Sequence, residues 1–273
     1  MRRTTPNVFA PGRLPPLEGA LAHASAGAIV EALAPFATPA RLARLAAVAA
    51  GRVGALTVLM DAPHDPHNGA ALARTLDAFG VHAMHVVEQR GRPFLLAPSV
   101  SRGAHKWVEL RTYDGLEAAL GPLRASGYAL VAAEAGGDLV PDELARLPRA
   151  CVVVGNEREG IRRELRAACE LSARVPMRGF AESLNVSVTA AVLLSHALAG
   201  RPGDLAPHER AWFVARGLLL TVPGSIVILR ERGLVPEGFD PVDAWRHPPP
   251  ALDPSALGRN DRRRLRRDAR PPG

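Results

Sequence analysis

The chain has 273 residues, 47% of them hydrophobic, and a formal net charge of +7. That length supports one large or two small domains with a sizeable core, the apolar content excludes a disordered chain, and no apolar run approaches the ~20 residues a membrane span needs. With no apolar stretch behind the N-terminal M-R-R-T-T-P-N, the plain expectation is a soluble cytoplasmic protein.

Residues 1–38 hold Pro6, Pro11, Pro15, Pro16 and Pro35 and read as a loose arm with one short Ala-rich helix around Gly19 to Leu33. From Thr38 the pattern sharpens: Thr38 as N-cap, Pro39 at the first helical position and Gly51 as the stop predict a helix. Ala55 to Asp61 is a short continuous apolar run, as in a strand buried on both faces of a parallel sheet. A polar turn, H-D-P-H-N-G, then feeds a helix from about Asn68 to Phe79, with Leu72, Leu76 and Phe79 as its apolar stripe and Gly80 at its end.

A strand from His82 to Glu88 completes a first βαβ unit. Gln89 to His105, rich in Gly, Pro and Ser, reads as a mobile surface loop. Next come a strand near Trp107 to Arg111, a helix near Leu116 to Ala125 and a strand from Tyr128 to Ala133. A short helix at Asp142 to Leu147 leads into the strand Cys151 to Val154. This alternation predicts an α/β domain with a mainly parallel sheet. A second strand follows, ending in A-R-V-P, then a long apolar helix from Ser183 to Ala199, buried in the core or against another subunit. H-E-R-A-W-F-V-A-R-G-L-L-L-T and P-G-S-I-V-I-L-R-E-R-G predict two more helices, and a Pro-rich tail begins near Val235. Within it Arg259 to Arg270 hold seven arginines against Asp261 and Asp268, a net +5 that leaves +2 for the rest of the chain. Such a tail is either a solvated end or an arm that attracts RNA phosphates. Lys106 is the only lysine beside 33 arginines, a codon-bias pattern that blunts any inference from arginine abundance.

Cys151 and Cys169 form no C-x-x-C pair, so they read as buried thiols rather than a disulfide or zinc framework. His64 and His67 lack carboxylate support for a metal and read as solvated; no metal is expected.

Three polar turns stand out: Asn68 with Arg74, Asn156 with Glu157 directly after a buried strand and Gly155, and Ser183 with Asn185. In open α/β sheets ligands bind where strands end, yet each turn alone is equally at home as a helix cap or a surface pair. Together, N-G-A-A-L-A-R-T-L-D-A-F-G, V-V-V-G-N-E-R-E-G-I and V-P-M-R-G-F-A-E-S-L-N-V-S-V-T-A-A-V resemble, in order, the three motifs of the SpoU/TrmH (SPOUT class) RNA ribose methyltransferases. S-R-G-A-H-K-W-V around Lys106 is similar to the tRNA-modifying members of that family.

The resemblance implies a deep C-terminal trefoil knot within a methyltransferase domain over 39–200, while the residue pattern reads as a helical extension over 201–235 and a Pro/Arg-rich tail over 236–273. The resemblance also implies S-adenosylmethionine held by backbone groups at Ala133, Gly155, Val175 and Leu184. Arg74 takes the decisive catalytic role, with Asn68, Glu157, Ser183 and Asn185 ordering it and the ribose. The implied activity is 2′-O-methylation of ribose in tRNA, at guanosine 18 of the D-loop, by a homodimer. Ribosomal RNA as substrate, or a knotted RNA-binding protein without activity, are the alternatives.

Overall fold

The computed structural model describes residues 24–89 and 94–235. The expected arm as far as residue 23, residues 90–93 and the tail from 236 with its arginine run lie outside the described residues. By their contacts the described residues form two units, Ala55–Arg201 and the pair of segments 24–54 and 202–235. The helix Pro39–Gly51, grouped by the sequence with the methyltransferase domain, therefore belongs with the C-terminal helices.

In that helical unit, α1 (Ala26–Leu33) is capped by Ser25 and α2 (Pro39–Gly51) by Thr38, whose hydroxyl accepts from the Arg41 amide at 3.2 Å. Short polar caps followed by Pro at the first turn fix both the start and the direction of a helix. The Ala-rich helix thus starts at Ala26 within the described residues. The C-terminal pair, α9 (Pro207–Thr221) and α10 (Ser225–Glu231), packs on α1, and α9 also on α2. Gly217 of α9 allows close approach to α2, where the Leu45 side chain would have to shift to admit a Cβ. No single described helix is long and apolar enough to cross a membrane, and α9 with α10, which pass that test only as a pair, are bent by 112°.

The other unit holds a six-stranded sheet in the order β3-β2-β1-β5-β4-β6, every pair parallel. Its strands are β1 (Leu56–Asp61), β2 (Ala83–Val87), β3 (Glu109–Tyr113), β4 (Ala129–Ala133), β5 (Ala150–Val154) and β6 (Leu171–Ala173). β1 and β5 are buried at every residue, as continuous apolar runs require when both faces of a sheet are covered. On one face Leu59, Leu130, Cys151 and Val153 meet Leu120 and Leu123 of α5 (Leu116–Ala125) and Leu165 of α7 (Arg163–Ala167). Alternation turns Val58, Val131 and Val152 to the opposite face, where they are equally buried.

The chain runs from β1 outward through β2 to β3, then restarts on the far side with β4, leaving the slot that β5 fills. This reversal of direction creates a crevice outside the carboxyl ends of the central strands. Two helices frame it: α3 (Pro66–Ala78) and α8 (Val186–Ala197), which pack on each other, α8 also on α6 (Pro141–Leu144).

Three sequence expectations change. The helix after β1 starts at Pro66, capped by Asp65, two residues earlier than Asn68, so Phe79 falls at its C-cap and is 40% exposed. Its buried stripe is Ala70, Leu72, Ala73 and Leu76 instead. The stretch read as a mobile surface loop buries Phe94, Leu96 and Ala97 and folds into α4 (Pro98–Ser101) and a 3-10 turn, both packed on α3. Its Phe94 ring lies 2.5 Å from where a Cβ on Gly69 would sit, so the glycine makes room for it. Finally, α8 starts at Val186 rather than Ser183 and is not apolar-buried all round, for Val188 is 46% exposed.

The β2–β3 edge carries a titrating group. His85, buried, shares a hydrogen bond of 2.9 Å with the Tyr113 hydroxyl and stacks on its ring. Burial first, then the Arg111 charge, pulls its pKa from 6.5 to about 4, against a smaller raising by Glu109. Because the folded value lies below the unfolded one, the contribution of neutral His85 is complete above pH 6.5 and is lost as pH falls toward 4. The expected loss is about 3 kcal/mol across that window. Denaturant melts at stepped pH should show this slope flattened in His85→Gln. Glu109, pulled down to about 2 by His82 and Arg111 against its own burial, adds a separate loss below pH 4.5.

Candidate active site

β5 ends at Val154 and the chain turns at once through Gly155–Ile161. A Cβ on Gly155 would fall on the main chain of Gly160 and Ile161, so only glycine admits this close approach. Asn156 and Gly160 exchange main-chain hydrogen bonds at 3.0 and 3.1 Å, and Gly160 takes φ +70°. The Asn156 Oδ1 accepts from the amides of Arg158 and Glu159 at 3.0 and 2.9 Å. An Asx-type turn of this kind fixes the loop from within and directs the intervening Glu157 outward.

The Glu157 carboxylate joins the three motifs. Its Oε1 accepts from Asn68 Nδ2 at 2.5 Å and its Oε2 from the His64 amide at 3.4 Å. Asn68 Oδ1 accepts from Asn185 Nδ2 at 2.9 Å. Asn185 caps α8, its Oδ1 accepting from the Ser187 amide and hydroxyl at 2.9 and 2.7 Å. Residues 89 and 117 positions apart in sequence thus form one hydrogen-bonded line. A carboxylate bonded by neutral amides retains acceptor capacity for a further donor.

Beside this line opens a cleft of about 540 Å3. The segments that follow β4, β5 and β6 and the first turn of α8 wall it. Ala133, Gly155, Val175 and Leu184, the positions expected to meet a cofactor, all line it, as do Glu157, Ser183 and Asn185. Asn68 is one hydrogen bond removed through Glu157 and Asn185. Arg74 is not among the lining residues. It is exposed on α3 and makes no side-chain hydrogen bond or ion pair among the described residues. Six helical residues from Asn68 place it about 9 Å along the axis and on another side of the helix.

Glu134 and Thr189, both in the cleft wall, were not singled out from the sequence, and Asn156 was named only as part of a polar turn. Glu134, directly after β4, receives a two-pronged bond from Arg166 Nε and Nη2 at 2.9 and 2.8 Å. Asn156 keeps its Nδ2 buried and without a partner among the described residues, and Thr189 lies on α8. Position after a strand end was the available signal for Glu134. His67, read as solvated, bonds its Nδ1 to Asp65 Oδ1 at 3.0 Å.

A model of the SpoU rRNA Methylase family matches residues 55–195, more than half of the chain. The chain belongs to this family. The matched span coincides with the unit that holds the sheet, the cleft and all three polar turns. This SpoU methylase is 35% identical over 160 residues to the tRNA (guanosine(18)-2'-O)-methyltransferase of Escherichia coli strain K12, covering 58% of this chain and 69% of that one. With an enzyme of the same name from Thermus thermophilus it shares 37% identity over 143 residues, 52% of this chain and 73% of the relative. Among solved structures, a TrmH/SpoU tRNA modifying enzyme of A. aeolicus superposes with a TM-score of 0.59 at 28% identity, over 66% of this chain and 95% of that one.

Proposed function

We propose that this SpoU methylase transfers a methyl group from S-adenosylmethionine to the 2′-hydroxyl of guanosine 18 in tRNA. The observation that carries the reading is the Asn185–Asn68–Glu157 line at the edge of the cleft; the names of the relatives supply the nucleoside.

The cleft suits S-adenosylmethionine. Its volume falls in the range of small-molecule sites, and Ala133, Gly155 and Val175 are part of its wall. Of its charged lining residues, Glu134 is paired with Arg166, and Glu157 and Glu182 stand against Arg158, which leaves a net negative charge that suits a cation; Asn156 Nδ2 offers a buried donor. Bound there, the cofactor supplies a methyl group on a sulfonium, already an excellent leaving group.

The protein's task is then alignment and charge. Glu157, held by Asn68 and the His64 amide, accepts from a ribose hydroxyl, and Ser183 and Asn185 bound the ribose from the other wall. Arg74 pairs with the adjacent phosphate and stabilises negative charge developing on the 2′-oxygen. A guanidinium stays protonated below pH ~12, so this role fits it better than that of a base. Met177, Phe180, Leu184 and Val188 are exposed apolar groups on the cleft loop and α8, and they support pairing with a second copy as a homodimer. The trefoil knot belongs to the same proposal, since the chain returns from edge strand β6 to α8 through residues 174–185. The reaction is placed in the cytoplasm, with its tRNA.

Mapping ribose methylation in RNA from a deletion strain tests the substrate. Loss of the mark at guanosine 18 of tRNA is expected. Loss at a ribosomal position, with tRNA unchanged, would assign the activity to ribosomal RNA instead.

A further inference from the structure

The last residue of β1, Asp61, has a carboxylate with no exposed surface. A charge so placed is tolerated only when its lone pairs are filled. Arg162 fills them: its amide bonds Asp61 Oδ2 at 2.8 Å, its Nε bonds Oδ1 at 2.8 Å and its Nη2 the same oxygen at 2.5 Å. Arg162 directly follows the Gly155–Ile161 loop, five residues beyond Glu157.

On the other side, Asp61 directly precedes Ala62, a buried non-glycine residue with φ +44°. An L-residue resists that conformation and keeps it only where its surroundings hold it. The Ala62 amide is bonded to the Val87 carbonyl at 2.8 Å. From Ala62 the chain runs to His64, whose amide meets Glu157, and on to Asn68. The segment that carries Asn68 thus starts at Asp61, and the loop that carries Glu157 ends at the arginine paired with Asp61.

We propose that the Asp61–Arg162 pair, with the strained turn at Ala62, is a positioning device for the methyl transfer. It sets where the Glu157 carboxylate meets Asn68 and the shape of the loop that walls the cleft, without itself touching cofactor or RNA. It rests on the methyl-transfer reading above.

Arg162→Ala, Arg162→Lys and Ala62→Gly are compared with the parent well below the lowest Tm. The readouts are kcat and KM with a tRNA transcript, S-adenosylmethionine Kd by calorimetry, and amide exchange over residues 155–161. Arg162→Ala is expected to lower kcat by about 10²-fold, the scale of a misplacement near 1 Å, to weaken the cofactor several-fold and to speed exchange in the loop. Arg162→Lys recovers part of kcat, since an ammonium restores charge but not the planar fork. Ala62→Gly keeps the pair and relieves the strain, and so carries the test if Arg162→Ala does not fold. Its Tm should stay within a few degrees of the parent while kcat drops several-fold. A lower Tm with kcat, Kd and loop exchange unchanged in Arg162→Ala, or unchanged kcat in Ala62→Gly, overturns the proposal. A parent that neither binds S-adenosylmethionine nor methylates RNA refutes the functional reading instead, and loop exchange still decides the positioning role.

Discussion

Replacing Arg74 by alanine is expected to lower turnover by about 10²–10³-fold, the scale on which loss of one charge-stabilising group is felt. Cofactor affinity should stay within about twofold, and Tm within a degree or two, because exposed substitutions away from special features change stability little. The expectation follows from placement. Arg74 is exposed on α3, bonds no described residue through its side chain, and is absent from the cleft wall, so neither folding nor cofactor binding depends on it. Only the RNA, lying across the site, gives the guanidinium something to act on. Arg74→Lys should retain part of the activity, keeping the charge while losing the two-pronged geometry that suits a phosphate. Single-turnover methylation beside calorimetric cofactor titration separates the two effects. Full turnover in Arg74→Ala would remove Arg74 from the mechanism and revive the reading of an RNA-binding protein without activity.

Gly155→Ala should act in the opposite way, through the cofactor and the fold. The added methyl group meets main-chain atoms of Gly160 and Ile161, which cannot swing aside as a side chain would. The loop must open, breaking the paired bonds between Asn156 and Gly160 and drawing Glu157 away from Asn68. Overpacking of this kind costs about 1–3 kcal/mol, occasionally more. Thermal melts should show a Tm lower by several degrees, and S-adenosylmethionine binding should weaken at least tenfold. Gly27→Ala in α1 is the control, since an added methyl group there meets only the Ser25 hydroxyl at an ordinary 3.8 Å. There the exchange should leave Tm and cofactor binding unchanged or raise stability by a few tenths of a kcal/mol, up to about 1 kcal/mol. A Gly155→Ala protein that binds cofactor normally would show that the loop does not shape the cleft.

Elements whose signal is local were legible in the sequence. Thr38 and Pro39 opened α2 as expected, Leu116–Ala125 matched to the residue, and the apolar runs of β1 and β5 appeared as buried parallel strands. Legibility failed where composition misled: the Gly, Pro and Ser of 89–105 hid Phe94, Leu96 and Ala97, which anchor that stretch on α3. α7 was missed because R-E-L-R-A is five residues with one apolar anchor, Leu165, too short for a period to show. At the site, Glu157, Asn68 and Asn185 could be singled out as polar turns, but their joining in one line could not be read from spacings of 89 and 117 residues. Asp61 and Arg162, 101 residues apart, gave no sign of each other: an aspartate ending a strand reads as a turn residue until its burial is seen. Arg74 was legible only through resemblance, since nothing about an arginine on a helix surface marks it for chemistry.

The most direct test is transfer of label from S-adenosylmethionine to a tRNA transcript, beside the same transcript carrying a single 2′-deoxy guanosine at position 18. Label in the first and none in the second is the predicted result. Equal labelling of both would contradict methylation at that ribose.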